Sequence, residues 1–192
     1  VDVTAGSPPT VSFLSNDVSV QLKPRLVIGA DGRNSVLRKQ LGFSVQADEP
    51  HNLLGGMLVA NVPDWPRQMQ AIGTEDRLHY FVFPQGKDLV RLYACYGFAD
   101  RHKFAGPDRE TRLLQAFRLK CLPYAEAISG GRPISPFYSY SNEDHWVDDP
   151  PLPGVLIIGD AAGDNDRITG QGLSIAVRDV RVVSDILLKD KK

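Results

Sequence analysis

Apolar and polar residues alternate along the first part of the chain, which is the pattern of half-buried β-strands. One alternating run covers 11–13 and the next covers 18–22, with the turn-forming residues Ser15, Asn16 and Asp17 between them. This pattern predicts a β-hairpin.

A short apolar run at 26–28 follows, and the sequence Gly-Ala-Asp-Gly (29–32) leads from it into residues with helical spacing. The predicted helix begins near Ser35, with Ser35 or Asn34 as its N-cap, and ends at Gly42. The pattern therefore indicates a strand, a glycine-rich loop and a helix in succession.

The same succession returns near the other end of the chain. The apolar run 155–158 is too short for a helix and predicts a buried strand that Gly159 and Asp160 end. A loop leads from there to Gly-Gln-Gly (170–172) and a long amphipathic helix. Glycines at a helix entrance let a ligand approach the backbone, and the first N–H groups of the helix favour negative charge. Asp160, at the carboxyl end of a buried strand, lies where open α/β sheets place ligand-contacting groups.

The region between these two units is rich in strand signals. Strands are predicted over 53–61, 78–83 and 89–96, and residues 84–87 join the last two as a hairpin. Residues 132–140 predict an edge strand, since their prolines would be tolerated only there.

One helix is predicted inside this region. Pro107 and Asp108 begin it and Pro123 stops it. Its apolar face consists of Leu113, Leu114, Phe117 and Cys121. A stiff polar linker is expected over 148–154.

Composition and charge exclude several classes of protein. The formal net charge of −1 gives no reason to expect a nucleic acid or an anionic membrane as partner. No apolar run is long enough to cross a bilayer, and no signal peptide is visible. Cys95 and Cys121 form no disulfide framework, so both are expected to be buried thiols of a cytoplasmic protein.

No familiar catalytic or metal motif is present. The four histidines show no metal-ligand spacing, and the pair Asp144-His145 is interpreted as a surface feature. Nucleophile-elbow and P-loop sequences are absent, which leaves hydrolase and kinase hypotheses unsupported.

Taken together, the two glycine-rich segments resemble paired motifs of the FAD-dependent aromatic hydroxylase family, the para-hydroxybenzoate hydroxylase-like monooxygenases. The second family motif reads GDAAH, three residues, Pro, two residues, GQG. Residues 159–162 and 170–172 match it in identity and spacing, whereas Gly163 replaces its His and Arg167 its Pro. The first motif reads GADG, two residues, Ser, two residues, Arg. The chain matches it at Asp31, Gly32, Ser35 and Arg38.

The resemblance implies an FAD site and NAD(P)H as the electron donor. In the family, the first motif lies near the FAD pyrophosphate and takes part in NAD(P)H handling. By analogy, Asp160 would bond the ribityl chain, and the backbone at 172–174 would meet the O2 edge of the flavin. The cofactor-binding candidates are Asp31, Gly32, Arg38, Gly159, Asp160, Gly170, Gln171, Gly172, Leu173 and Ser174. Arg167 would either place a cation near the flavin ring or face solvent.

The resemblance also implies an architecture of mixed α/β (α+β) class. Residues 1–45 and 152–192 would form part of a doubly wound FAD/NAD(P)-binding domain, and 46–151 an inserted antiparallel-sheet substrate domain. The aromatic candidates for a pocket wall are Tyr80, Phe81, Phe83, Tyr93 and Tyr96. Strand alternation splits them between two faces, so only one set can line a pocket.

The implied function is that of an oxidoreductase: an NAD(P)H-using monooxygenase that transfers one oxygen atom from O2 to an apolar or aromatic small molecule. No catalytic residue is assigned, because the cofactor carries the difficult step. The family's GxGxxG unit does not occur in these 192 residues. We therefore expect a longer natural protein, and an isolated chain that is inactive and holds flavin weakly or not at all. The alternatives are a flavin-dependent halogenase or reductase of the same fold and a stand-alone, non-catalytic small-molecule binding module.

Overall fold

The computed structural model describes residues 1–189 of this chain. Its strands are β1 (Asp2–Thr4), β2 (Thr10–Ser15), β3 (Val18–Leu22), β4 (Val27–Gly29), β5 (Gln46–Ala47), β6 (Asn52–Ala60), β7 (Ala71–Glu75), β8 (Leu78–Pro84), β9 (Leu89–Gly97), β10 (Arg132–Pro133), β11 (Tyr138–Ser141), β12 (His145–Trp146), β13 (Pro151–Leu152), β14 (Val155–Ile157) and β15 (Gly163–Asp164). Its helices are α1 (Val36–Gln40), α2 (Arg109–Ala116), α3 (Ala125–Ser129) and α4 (Gly172–Lys189).

The chain divides into two compact units. The first consists of residues 1–48 and the chain from Glu143 onward, and the second consists of residues 49–142. The boundaries expected from the sequence were 45/46 and 151/152. The predicted polar linker lies within the first unit, where Pro151 and Leu152 pair with β14. Pairing of this segment with a neighbouring strand is a tertiary contact that its composition alone does not indicate.

The first unit contains three small sheets of three strands each. One is the meander β1-β2-β3, which includes the predicted hairpin, and another is β15-β12-β5. In the third, the order is β13-β14-β4, and β14 is parallel to β4. The core beneath these sheets is small and apolar, and its buried members are Val3, Leu37, Val155, Ile157 and Ala161.

The second unit is an antiparallel sheet with two helices packed on one face. The sheet order is β10-β6-β9-β8-β7, and β11 also pairs with β6. The predicted strands and the hairpin between β8 and β9 are confirmed. The predicted edge strand over 132–140 is present as two short strands, β10 and β11, which both pair with β6.

The helix predicted from Pro107 is shorter than expected. It is α2, which ends with Phe117 as its C-cap, so Cys121 lies outside it and is exposed. The reason is a tertiary contact, since the carboxylate of Glu75 accepts the backbone N–H groups of Lys120 and Cys121 at 3.0 and 2.8 Å. The expectation of two buried thiols is therefore correct for Cys95 and wrong for Cys121.

Two neighbouring glycines in β6 make room for aromatic rings on opposite faces of the sheet. A Cβ on Gly55 would lie 2.3 Å from Cζ of Phe137, and a Cβ on Gly56 would lie 2.5 Å from Cδ1 of Tyr93. These glycines are therefore required by packing.

Among residues 1–189, no helix combines the length and apolarity needed to cross a bilayer.

Gly55→Ala is expected to destabilise the protein by about 1–3 kcal/mol, because an added methyl group would overlap a buried ring. The measurement is the urea unfolding midpoint. Gly97→Ala is the matched control: its backbone, at φ −58° and ψ 144°, suits alanine. A Cβ at Gly97 would have its nearest neighbour at 3.6 Å. Equal midpoints for the two variants would contradict the packing explanation.

Candidate functional site

The loops that follow β4 and β14 lie side by side at one edge of the first unit. Val27 is opposite Val155 and Gly29 is opposite Ile157 in parallel register, so both strands end in the same direction. The N–H of Ile158 donates to the carbonyl of Gly29 over 2.9 Å and continues the pairing. The carboxyl ends of adjacent parallel strands are where α/β sheets bind ligands.

An open groove of about 470 Å³ lies at this edge. Both loops and the beginning of α4 line it, through Ala30, Gly32, Ile158, Gly159, Asp160, Gly172, Leu173, Ala176 and Val180. The lining includes the predicted site residues Gly32, Gly159, Asp160, Gly172 and Leu173. The other candidates, Asp31, Arg38, Gly170, Gln171 and Ser174, do not line it. The structure thus brings half of the predicted set to one surface.

Helix α4 packs closely against the end of β14. Gly159 has φ +57°, and a Cβ there would lie 3.4 Å from the Cβ of Ala176. The N–H of Gly159 donates to Oδ2 of Asp179 over 3.0 Å. Sequence reasoning missed Asp179, although its signal was present: it is acidic and lies one helical turn after Ala176 on the same face.

The beginning of α4 presents backbone donors beside this groove. The 3₁₀ turn before the helix ends at Gly170, which has φ +64°, and the N–H of Ile175 then donates to the carbonyl of Gln171 over 3.0 Å. The N–H groups of residues 172–174 precede this bond and have no i→i−4 partner within the described chain. Such groups, together with the helix dipole, attract negative charge or a carbonyl oxygen.

Asp160 adds an acceptor beside these donors. Its side chain is exposed, and its Oδ1 lies 3.9 Å from the position that a Cβ of Gly172 would occupy. A carboxylate accepts hydrogen bonds from hydroxyl groups, whereas backbone N–H groups donate to carbonyl oxygens. This arrangement suits a ligand that carries both kinds of group.

Asp31 is engaged by its own helix. Its Oδ2 accepts the N–H groups of Val36 at 2.7 Å and Leu37 at 3.1 Å, at the N-terminus of α1. Burial raises the pKa of Asp31, but hydrogen bonds from the Ser35 side chain and these backbone groups outweigh it, and the net pKa lies below the ordinary value. The carboxylate of Asp31 therefore stabilises the helix that follows the first loop.

The side chain of Arg38 joins the two loops by hydrogen bonds to a backbone carbonyl group in each. This side chain is buried, Nη1 donates to the carbonyl of Ala161 at 2.9 Å, and Nη2 donates to the carbonyl of Arg33 at 2.6 Å. The guanidinium group of Arg38 is therefore engaged by backbone carbonyl groups and not by solvent. Ser35 is confirmed as the N-cap of α1, since its hydroxyl accepts the N–H of Arg38 at 2.9 Å.

The two departures from the family pattern have structural explanations. Gly163 lies in β15 opposite Trp146, and a Cβ there would lie 2.8 Å from the carbonyl oxygen of His145. A side chain as large as histidine does not fit at Gly163. Arg167 neither stands free in solvent nor lines the groove, because its Nη2 contacts Oδ2 of Asp164 at 2.9 Å.

The interpretation of Asp144-His145 as a surface feature is wrong for His145. This residue is half-buried in β12, with Nδ1 at 3.3 Å from Oδ1 of Asp164 and Nε2 at 3.7 Å from Oε1 of Glu143. Glu143 lies two residues away in the sequence, whereas Asp164 reaches this histidine only in the folded chain.

The sheet of the second unit separates the aromatic residues into two sets. Tyr80 and Tyr96 are buried beneath the helices, and the hydroxyl of Tyr80 lies 3.4 Å from Sγ of Cys121. Burial, followed by this hydrogen bond, raises the pKa of Tyr80 to about 12. The other three, Phe81, Phe83 and Tyr93, are half-buried on the opposite face.

These three rings form a connected apolar surface on the second unit. The rings of Phe81 and Phe83 are stacked with centroids 6.2 Å apart, and Tyr93 meets Phe83 edge-on at 6.1 Å. The ring of Tyr93 lies over Gly56, which leaves the neighbouring strand flat beneath it. Of the five predicted aromatic residues, only these three can contact a ligand on the open face of the sheet.

Comparison with known proteins gives the site a context. A family model described as "FAD binding domain" matches residues 3–190. The 3-hydroxybenzoate 4-monooxygenase of Comamonas testosteroni is 28% identical over 171 residues, which are 82% of this chain and 27% of that protein. The chain thus spans little more than a quarter of that curated relative.

Solved structures are similar over a comparable range. The probable FAD-dependent monooxygenase pqsL of Pseudomonas aeruginosa has a TM-score of 0.69 at 25% identity, covering 90% of this chain and 49% of that one. The flavin-dependent halogenase CmlS has a TM-score of 0.70 at 16% identity, covering 93% of this chain and 33% of that one. At 16% identity, the similarity to the halogenase shows a shared fold and supports no inference about function.

Asp31→Ala is expected to lower the free energy of unfolding near neutral pH by about 0.5–2 kcal/mol, the usual cost of losing a cap. Because the pKa of Asp31 is lower in the folded protein, its contribution is complete above the unfolded-state pKa and is lost as pH falls through the folded-state pKa. Urea unfolding of wild type and variant near neutral pH and below pH ~3 checks this. A difference that does not shrink on acidification would contradict the assigned role, and Asp185→Ala on the exposed surface of α4 is the control.

Proposed function

This chain belongs to the FAD binding domain family, and on that premise we propose that it forms the flavin-contacting and substrate-contacting parts of an FAD-dependent monooxygenase that acts on an aromatic small molecule. The observation that carries the proposal is the groove where the loops after β4 and β14 meet the beginning of α4. The chain has the α/β FAD-binding fold, which its structural neighbours share.

The residues at the groove fit FAD by the chemistry of their donors and acceptors. Asp160 supplies a carboxylate for the hydroxyl groups of the ribityl chain, and the N–H groups of residues 172–174 supply donors for the carbonyl edge of the ring. Ile158, Ala176 and Val180 supply an apolar wall. When bound, FAD would provide the redox chemistry, accepting a hydride from NAD(P)H and activating O2.

The beginning of α4 would contribute mainly electrostatic stabilisation. Its backbone donors and dipole point toward the groove and favour negative charge on whatever oxygen or nitrogen atom faces them. Asp179 would hold Gly159 in place, because it accepts the N–H of this residue from about two turns inside the helix. Asp31 would act on its own helix, while Arg38 would act by holding the two loops together.

The aromatic surface formed by Phe81, Phe83 and Tyr93 is the part of the second unit that we propose contacts the substrate. Flat, half-buried rings favour a flat, apolar ligand through dispersion and edge-to-face contacts. The similarity to the 3-hydroxybenzoate 4-monooxygenase of Comamonas testosteroni supports an aromatic substrate. A free catalytic acid or base is not needed in this proposal, since orientation and exclusion of water are the main contributions of the protein.

NAD(P)H as the electron donor and a cytoplasmic location complete the proposal. The donor follows from the resemblance of residues 29–38 to the first motif of the aromatic hydroxylases. The location is supported by Cys95 and Cys121, which are not joined in a disulfide.

The test is a titration of the protein at its native length with FAD, followed by flavin absorbance and tryptophan quenching, beside the chain of residues 1–192. Asp160→Ala is expected to weaken binding by about 10- to 100-fold, because a charge-assisted hydrogen bond is lost. Asp185→Ala removes an exposed carboxylate of α4 and should leave the affinity unchanged. The isolated chain is expected to bind weakly or not at all.

Other outcomes would redirect the proposal. Tight binding of FAD by the isolated chain would contradict the need for a further nucleotide-binding unit. Absence of FAD binding at native length would favour a non-catalytic binding module. NAD(P)H oxidation that depends on chloride or on a prenyl substrate, rather than on an aromatic one, would favour a halogenase or a reductase.

A further inference from the structure

A buried carboxylate in the first unit collects side chains from three separate segments. Oδ2 of Asp164 lies 3.0 Å from Nε of Arg33 and 2.9 Å from Nη2 of Arg167, and its Oδ1 lies 3.3 Å from Nδ1 of His145. Asp164 itself is only 6% exposed. Glu143 closes the group through Arg33 at 3.5 Å and His145 at 3.7 Å. We call these five residues the Asp164 cluster.

The members of the Asp164 cluster come from the parts of the chain that form the groove. Arg33 directly follows Gly32, which lines the groove from the first loop. Arg167 begins the 3₁₀ turn that leads through Gly170 to α4, so it lies in the second loop. One carboxylate therefore joins both loops by side-chain contacts.

The energetics favour a fixed geometry. A buried carboxylate is costly unless it is paired and hydrogen-bonded, and a pair of guanidinium groups on one carboxylate meets that demand. Breaking such a group by removing one partner leaves buried charge uncompensated. The loops are therefore held where both arginines reach Asp164 at once.

The ion pair between Arg167 and Asp164 stands where the family motif has a proline. The family motif has proline here, and this site would accept one: Arg167 is the first residue of a 3₁₀ turn, and Asp166 before it is extended at ψ 120°. The side chain of Asp166 caps the same turn by accepting the N–H of Ile168 at 2.7 Å. Proline would restrict the turn through its ring, whereas this chain restricts it through Asp164.

We propose that Asp164 is a positioning residue that, by binding Arg33 and Arg167 together, fixes the second loop and thereby the beginning of α4 at the FAD site. This proposal rests on the proposed function for its consequence at FAD. The anchoring of the loop itself does not depend on FAD, and the two parts can be measured separately.

The first measurement is hydrogen exchange of residues 163–172 in FAD-free protein at its native length. Arg167→Ala is expected to speed exchange in this loop by about tenfold or more, since loss of one charged hydrogen bond is worth that factor. Arg167→Pro should leave exchange near the wild-type rate, because proline restrains the same turn. Equal exchange in the two variants, or no change in either, would overturn the anchoring.

The second measurement is the FAD dissociation constant and the absorption spectrum of bound flavin in the same proteins. Arg167→Ala and Asp164→Asn are expected to raise the dissociation constant by about tenfold and to shift the spectrum, whereas Arg167→Pro should stay within about twofold of wild type. Arg181→Ala, an exposed arginine of α4, is the control. Asp164→Asn leaves two arginines without their carboxylate, so the Arg167 pair decides the result if that variant does not fold.

The outcomes separate the two proposals. Wild-type protein that binds no FAD would overturn the proposed function and the role of Asp164 at FAD, while hydrogen exchange still decides whether the loop is anchored. Wild-type protein that binds FAD, with Arg167→Ala unchanged in affinity and spectrum, would overturn the positioning role alone. Rescue by proline would not be seen if the cluster merely stabilised the unit as a whole.

Discussion

The parallel pairing of β4 with β14 is the constraint on which the site depends. Each strand has three residues, and their pairing, continued by the N–H of Ile158 and the carbonyl of Gly29, makes two distant loops neighbours. Parallel strands end in the same direction, so the loops that follow them, which carry Asp31-Gly32 and Gly159-Asp160, reach one edge together. If the register slipped by one residue, the side chains of β14 would exchange faces, and Ile157 would leave the core. The groove exists because this slip is excluded by the buried apolar contacts of the first unit.

A pair so short needs support, and polar contacts beneath the loops supply it. Arg38 binds the carbonyl of Ala161, Asp179 binds the N–H of Gly159, and Arg33 meets Asp164. Each contact joins side chains to backbone or to opposite charge in a partly buried setting, where hydrogen bonds to charged groups contribute more than neutral ones. The polar side chains in these contacts therefore bind other groups of the protein. The groups that the groove offers to a ligand are backbone donors, Asp160 and apolar side chains.

In the second unit, one sheet provides both a face buried in the core and an open face. Strand alternation sends Tyr80 and Tyr96 under the helices and leaves Phe81, Phe83 and Tyr93 on the other face. Glycines on β6 accommodate the rings on each side, Phe137 over Gly55 and Tyr93 over Gly56. The result is an aromatic surface that is supported from behind by a closely packed core.

Local pattern in the sequence determined the elements, because helices and strands follow from the spacing of apolar residues and from turn chemistry. The hairpins, the cap at Ser35, the long helix that begins at Gly172 and the two glycine-rich loops could all be predicted in this way. Tertiary structure decided which side chains those elements bring together. Helix α2 ends early because Glu75 takes the N–H groups of Lys120 and Cys121, and Arg33 meets Asp164 because two loops converge. Such contacts join residues far apart in the chain, and no local period records them.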